Sequence, residues 1–182
     1  MAPGAGAAGV GVLDVQRLDT LDESACAAAL APLFEGAPRY LRRLCAARPL
    51  GDEDRLFGRA LEVALDMPVD EQVELIDAHP RLGAPAAEVS ALSFREQGFD
   101  RPTSDVPDLK TELARLNEAY ERRFGFRYCT FVAGRSRAEL VPEFRARLGN
   151  DRDAERETAL RAVVDIARDR AARLAREADE PA

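Results

Sequence analysis

One histidine, one Ser-x-x-Glu-Gln stretch and a few helix-border arginines are the residues of this chain whose types and spacing suit chemistry. His79 is the only histidine in 182 residues, and Pro80 follows it. It falls at the end of a predicted helix, where the negative end of the dipole favours an imidazolium and the proline restricts the backbone that aims the ring. That placement suits proton transfer. It equally suits a structural histidine capping the last carbonyls, and spacing does not separate the two. A single histidine cannot build a multi-histidine metal site, so no metal centre is expected.

If Ser93-Phe94-Arg95-Glu96-Gln97 is helical, Ser93, Glu96 and Gln97 share one face at i, i+3 and i+4. The same letters spell a capping box, but Gly98 and Pro102 follow where such a helix should be beginning. A hydroxyl, a carboxylate and an amide in a last helical turn would serve a polar ligand, and the residues alone leave the two readings even. In the last predicted helix, Glu157/Arg161 and Asp165/Asp169 with Arg168/Arg173 have the spacing of surface ion pairs. Arg170 falls about 80° from Leu160 on a helical wheel, at the border of the apolar stripe. From there an arginine could clamp a carboxylate; Arg168 holds the opposite border, and helical geometry does not choose between them.

Helices must position these groups. Helical runs are predicted over about 24–33, 38–47, 52–65, 69–78, 86–97, 109–124, 136–148 and 153–177, with capping boxes at Thr20-x-x-Glu23 and Ser136-x-x-Glu139. Leu109, Leu113, Leu116, Tyr120 and Phe124 mark the clearest amphipathic run, stopped by Gly125. Phe99 to Pro107 reads as the longest loop, and Phe126 to Val132 as either extended chain or a buried helix start. The expected fold is all-α, a single-domain bundle of about seven or eight helices over residues 13–178, behind a disordered N-terminal tail at 1–12.

Hydrophobic residues make up 46% and charged residues 32% of the chain, as in globular proteins. With 26 basic and 33 acidic residues the formal charge is −7, and no basic stripe stands clear of acids, so no nucleic-acid partner is expected. No apolar run approaches the roughly 18 residues of a membrane span. Cys26, Cys45 and Cys129 are odd in number and widely spaced, and are expected as buried free thiols in a reducing compartment. The apolar start, Met1 to Gly11, lacks the basic residues of a secretory signal, and a cytoplasmic location is the expectation.

Taken in order, His79-Pro80-Arg81-Leu82-Gly83, Ser93-x-x-Glu96-Gln97, Leu116-Asn117-x-x-Tyr120-x-x-x-Phe124-Gly125-Phe126, Gly134-Arg135-Ser136 and Arg147-Leu148-x-Asn150 resemble the OHCU decarboxylase family, from about Val15 to Leu174. That family decarboxylates 2-oxo-4-hydroxy-4-carboxy-5-ureidoimidazoline to (S)-allantoin in urate breakdown. The resemblance implies a homodimeric carboxy-lyase that uses no cofactor and acts on a small molecule. It makes His79 the proton donor and Glu96 its catalytic neighbour, holding the imidazole or the substrate hydroxyl and favouring a protonated ring. It assigns substrate binding to Pro80, to Ser93, Phe94, Arg95 and Gln97, and to the backbone of Tyr128, Cys129, Thr130, Phe131 and Val132. It selects Arg170 over Arg168 as the carboxylate clamp. Two other readings stand beside it: a related decarboxylase or lyase acting on another small ureido-carboxylate, and a non-catalytic helical interaction module.

Overall fold

Asp14, Asp22, Asp52, Ser90 and Ser136 each accept a hydrogen bond from the backbone N–H three residues on, and each opens a helix. The computed structural model describes residues 13–98 and 107–179. Among these lie nine α-helices: α1 (Val15–Thr20), α2 (Glu23–Leu30), α3 (Pro38–Ala46), α4 (Glu53–Asp66), α5 (Val69–Asp77), α6 (Ala91–Glu96), α7 (Pro107–Phe124), α8 (Arg137–Arg147) and α9 (Arg152–Asp179). A single 3-10 turn, Ala86–Glu88, precedes α6, and the described residues contain no strand.

The all-α expectation holds, with three local differences. Helix α1 is an addition, six residues being too few to show a period. Thr20 ends α1 and donates its hydroxyl to the Arg17 carbonyl at 2.8 Å, so the box at Thr20-x-x-Glu23 does not form and Asp22 caps α2 instead. The run predicted over 86–97 is broken at Val89 and Ser90, where both residues are extended. The box at Ser136 and Glu139 forms as predicted, and Phe126 to Val132 is neither helix nor strand. The expected tail at 1–12 and nearly all of the expected loop from Phe99 lie outside the described residues.

Helix α9 is the spine, with α4 and α5 packed along it. Leu160, Val163, Val164, Ala167, Ala171 and Leu174 are buried at helical spacing, and the alanines allow close approach. The α4–α5 junction shows why α5 sits as it does. Pro68 has no N–H to give the Ala64 carbonyl, and the buried Gln72 amide supplies it instead, donating to Ala64 at 3.1 Å and Leu65 at 2.9 Å. Its oxygen then accepts from Arg156 Nε of α9 at 2.7 Å. Helices α2 and α3 are joined by a Cys26–Cys45 disulfide, their Cα atoms 6.1 Å apart. The free-thiol expectation therefore holds only for buried Cys129; the pairing depends on helix packing, which spacing does not reveal.

Candidate active site

Helix α5 ends at Asp77, and the chain turns so that His79 lies beneath the last turn. Its backbone N–H donates to the Ile76 carbonyl at 3.1 Å, and ring Nδ1 meets the Leu75 carbonyl at 3.2 Å. A carbonyl can only accept, so Nδ1 carries hydrogen and Nε2 of the neutral ring is left with its lone pair. Nε2 is buried and has no protein partner. His79 lines a cavity of about 50 Å³ together with Pro80 and Leu82. Burial drives the His79 pKa down to about 4; the Arg170 guanidinium adds to that, against Glu35, which pulls the other way. The expected protonated ring is thus not the resting form. The helix end and a nearby carboxylate are outweighed by the loss of water.

Opposite stands α6. Ser93 and Glu96 line the cavity, and Arg170 holds both from behind. Arg170 has no exposure at all. Its Nε donates to Glu96 Oε1 at 2.6 Å, and its NH2 group to Glu96 Oε2 at 2.8 Å, Glu35 Oε1 at 2.7 Å and Ser93 Oγ at 3.0 Å. Its NH1 group meets the carbonyls of Pro32 and Leu33, both at 3.2 Å. A guanidinium has five N–H donors, and protein acceptors engage all of them. Arg170 is absent from the cavity wall. The structure thus makes Arg170 the anchor of Glu96 and Ser93, where the sequence suggested a substrate clamp.

Glu35 is the member of this cluster that sequence reasoning missed. Its φ is +52°, a left-handed conformation uncommon outside glycine. Its Oε1 also accepts the hydroxyls of Ser93 at 2.6 Å and Ser90 at 2.9 Å. Opposed by burial, the Arg170 charge and these hydroxyls together lower its pKa below the usual glutamate value. No periodic or capping signal marks a lone glutamate in a turn, so nothing in the residues around Glu35 would have found it.

The third wall is the segment Tyr128 to Val132. Two arginines and one glutamate clasp it from outside. Arg147 donates to the Cys129 carbonyl at 3.1 Å, and its guanidinium lies 4.6 Å from the centre of the Tyr128 ring, which stacks on Phe144. Arg135 donates to the Phe131 carbonyl at 2.7 Å and the Val132 carbonyl at 3.1 Å. Glu143 accepts from Thr130 Oγ1 at 2.9 Å and Tyr128 OH at 3.2 Å. Burial pushes the Cys129 thiol up to about 12, so it stays protonated. Arg127 ties this wall to the histidine, reaching the carbonyls of Asp77 at 2.7 Å and His79 at 3.1 Å.

Gln97 has a mostly internal task. Its Oε1 accepts from Gly83 N at 2.8 Å, and its Nε2 donates to the Arg81 carbonyl at 3.1 Å. Asn117 of α7 donates to the Leu82 carbonyl at 3.0 Å. Together they hold the turn after His79 against α6 and α7. Of the residues expected at the site, His79, Pro80, Ser93, Glu96, Gln97 and Tyr128 to Val132 come together on one cavity. Phe94, Arg95 and Arg170 do not reach its wall, and Arg95 instead pairs with Glu177 at 2.5 Å. Leu82, Ala133, Ile166 and Arg173 line it without having been expected there.

Comparison with known proteins places this arrangement. A 2-oxo-4-hydroxy-4-carboxy-5-ureidoimidazoline decarboxylase of Haloferax volcanii is 28% identical over 155 residues, 85% of this chain and 92% of that protein. A uric acid degradation bifunctional protein of a Bacillus species is 26% identical over 168 residues; the match takes in 92% of this chain but only 33% of that longer protein. The crystal structure of an OHCU decarboxylase in the presence of (S)-allantoin superposes with a TM-score of 0.64 at 21% identity, over 86% of this chain and 99% of the other, and shows the same fold. The family model for OHCU decarboxylase matches residues 19–172, and the chain therefore belongs to the OHCU decarboxylase family.

Proposed function

We propose that this chain is a carboxy-lyase converting 2-oxo-4-hydroxy-4-carboxy-5-ureidoimidazoline to (S)-allantoin and CO2 in urate degradation, with His79 as its proton-transfer group. The observation that carries the reading is the buried, unpartnered Nε2 of His79, a residue that lines one cavity together with Glu96.

The substrate carries its carboxylate and a hydroxyl on a carbon next to a C=N bond. When the carbon–carboxylate bond breaks, its electron pair forms a ring C=C and the C=N pair moves to nitrogen, which takes a proton. The resulting enol loses its O–H proton, and the ureido-bearing carbon gains one. The substrate is its own electron sink, and the net change is one proton taken up and one CO2 released. The protein's part is to orient the ring and carry protons on one face.

A neutral His79 suits the second half. Nε2 accepts the hydroxyl proton, the ring becomes an imidazolium for one step, and the same nitrogen returns the proton to the ureido carbon. Delivery from one fixed side gives one enantiomer. Glu96, held flat by Arg170, keeps lone pairs for the substrate hydroxyl or ureido N–H. Ser93 gives its own hydrogen to Glu35, so it meets the substrate only as an acceptor. Binding through the 128–132 backbone, a cytoplasmic location and a homodimer complete the proposal. The first test generates the substrate in situ from urate and follows the chirality of the allantoin formed. Unchanged rate and enantiomeric excess in His79→Ala would sink the assignment. A non-catalytic module would show no rate above the spontaneous one and no thermal shift with allantoin.

A further inference from the structure

Arg173 was expected to be surface dressing on α9, yet it lines the cavity, and no other guanidinium does so among the described residues. Ile166 lines it too, seven residues earlier and so on the same face of the helix. Arg170, between them, is turned inward and has no N–H left to offer. At the cavity, Glu35, Glu96 and Arg170 sum to one net negative charge, Arg173 is paired with Asp169, and His79 is neutral. An anionic ligand entering here meets that negative charge, and Arg173 is the group that can oppose it.

The geometry of Arg173 is that of a presented fork. Its Nε donates to Asp169 Oδ2 at 2.6 Å, one turn back, which fixes the plane of the guanidinium. The terminal NH1 and NH2 groups, which match a carboxylate bidentately, have no acceptor among the described residues. The side chain is 31% exposed, against 1% for Arg170. The other arginines nearby are engaged elsewhere: Arg81 with Glu121, Arg95 with Glu177 and Arg127 with backbone carbonyls.

We propose that Arg173, seated by Asp169, is the residue that binds the substrate's carboxylate and selects anionic over neutral ureido compounds. The inference rests on the functional reading above for the identity of that carboxylate. A guanidinium that holds the carboxylate equally in the bound substrate and in the transition state, before the charge has left it, contributes uniform binding. Its effect therefore belongs in KM, not in kcat.

The test compares wild type, Arg173→Ala, Arg173→Lys and Arg168→Ala, the last altering an outward arginine paired with Asp54. Steady-state rates use substrate generated in situ, with allantoin as a neutral competitor. Binding of N-carbamoylglycine and of its uncharged amide is measured alongside. In Arg173→Ala, KM should rise about 10- to 100-fold, as for a lost hydrogen bond to a charged group, with kcat within about 2-fold. Inhibition by allantoin should not change, and Arg173→Lys should recover part of the loss. N-carbamoylglycine should lose affinity while its amide does not, and Arg168→Ala should match wild type. An unchanged KM, or equal losses for charged and neutral ligands, overturns the proposal. A wild type that binds N-carbamoylglycine through Arg173 yet does not turn over the substrate would instead overturn the functional reading and leave this one standing.

Discussion

The Leu75 carbonyl and His79 Nδ1 meet at 3.2 Å across the last turn of α5, and that contact decides which histidine nitrogen keeps its lone pair. The helix end supplies an acceptor that the chain cannot otherwise satisfy, and the ring supplies the hydrogen. Nε2 is thereby left as the ring's acceptor before any substrate arrives.

Replacing the ring should therefore cost chemistry more than stability. His79→Gln is expected to lower kcat about 10²- to 10⁴-fold, the usual contribution of a positioned proton-transfer group. The glutamine amide can take over donation to the Leu75 carbonyl, and Nε2 has no protein partner to lose, so Tm should move little. Residual product should be racemic, because solvent then protonates both faces. Stopped assays with chiral chromatography and thermal melts check both statements.

The pH dependence carries a sign set by the depressed His79 pKa of about 4. Its unfolded value is about 6.5. Above that value neither state binds the proton and the full stability is present. Between about 6.5 and 4 the unfolded chain is protonated and the native state is not, so stability falls as pH falls, by up to about 3 kcal/mol. The lowered Glu35 pKa adds a loss of the same sign at lower pH. Denaturant melts from pH 8 to 4 should show this decline. The free-enzyme limb of kcat/KM should show no break near 6.5, since neutral His79 persists below it.

Arg170 separates anchoring from clamping. Its removal strands Glu35 and Glu96 in the interior, so Arg170→Ala should lose about 3–5 kcal/mol. Arg170→Lys should not restore that, because an ammonium cannot reproduce the two parallel bonds to Glu96 together with the contacts to Glu35 and two carbonyls. A direct clamp alone would behave differently: Arg170→Lys would keep Tm and raise KM. Chemical denaturation beside steady-state kinetics decides.

Gly83 stands at φ +79°, and a Cβ there would come within 2.9 Å of Leu113 Cδ1. Gly83→Ala should therefore destabilise by about 1–3 kcal/mol through strain and overlap. It should also reduce kcat, because Gly83 N is the donor to Gln97 that seats the turn after His79. Leu113→Ala in the same background should relieve the overlap but not the φ, giving partial recovery of Tm.

Sequence alone determined the helices with clear periods and caps, such as the run from Leu109 to Phe124 and the box at Ser136, because those signals are local. It also placed His79 after a helix and Ser93, Glu96 and Gln97 on one short turn, and the family order joined them into one site. Contacts between elements decided the rest. Arg170 and Arg173 are three residues apart on the same helix, and the helical wheel puts the first at the border of the apolar stripe and the second among the surface ion pairs. Only packing of the 31–36 turn and α6 against α9 commits the first to Glu35 and Glu96 and leaves the second on the cavity wall. His79 likewise owes its neutrality to burial, a property of the assembled walls that no residue spacing encodes. The Cys26–Cys45 pairing follows from the seating of α2 on α3, which is equally invisible in a one-dimensional pattern.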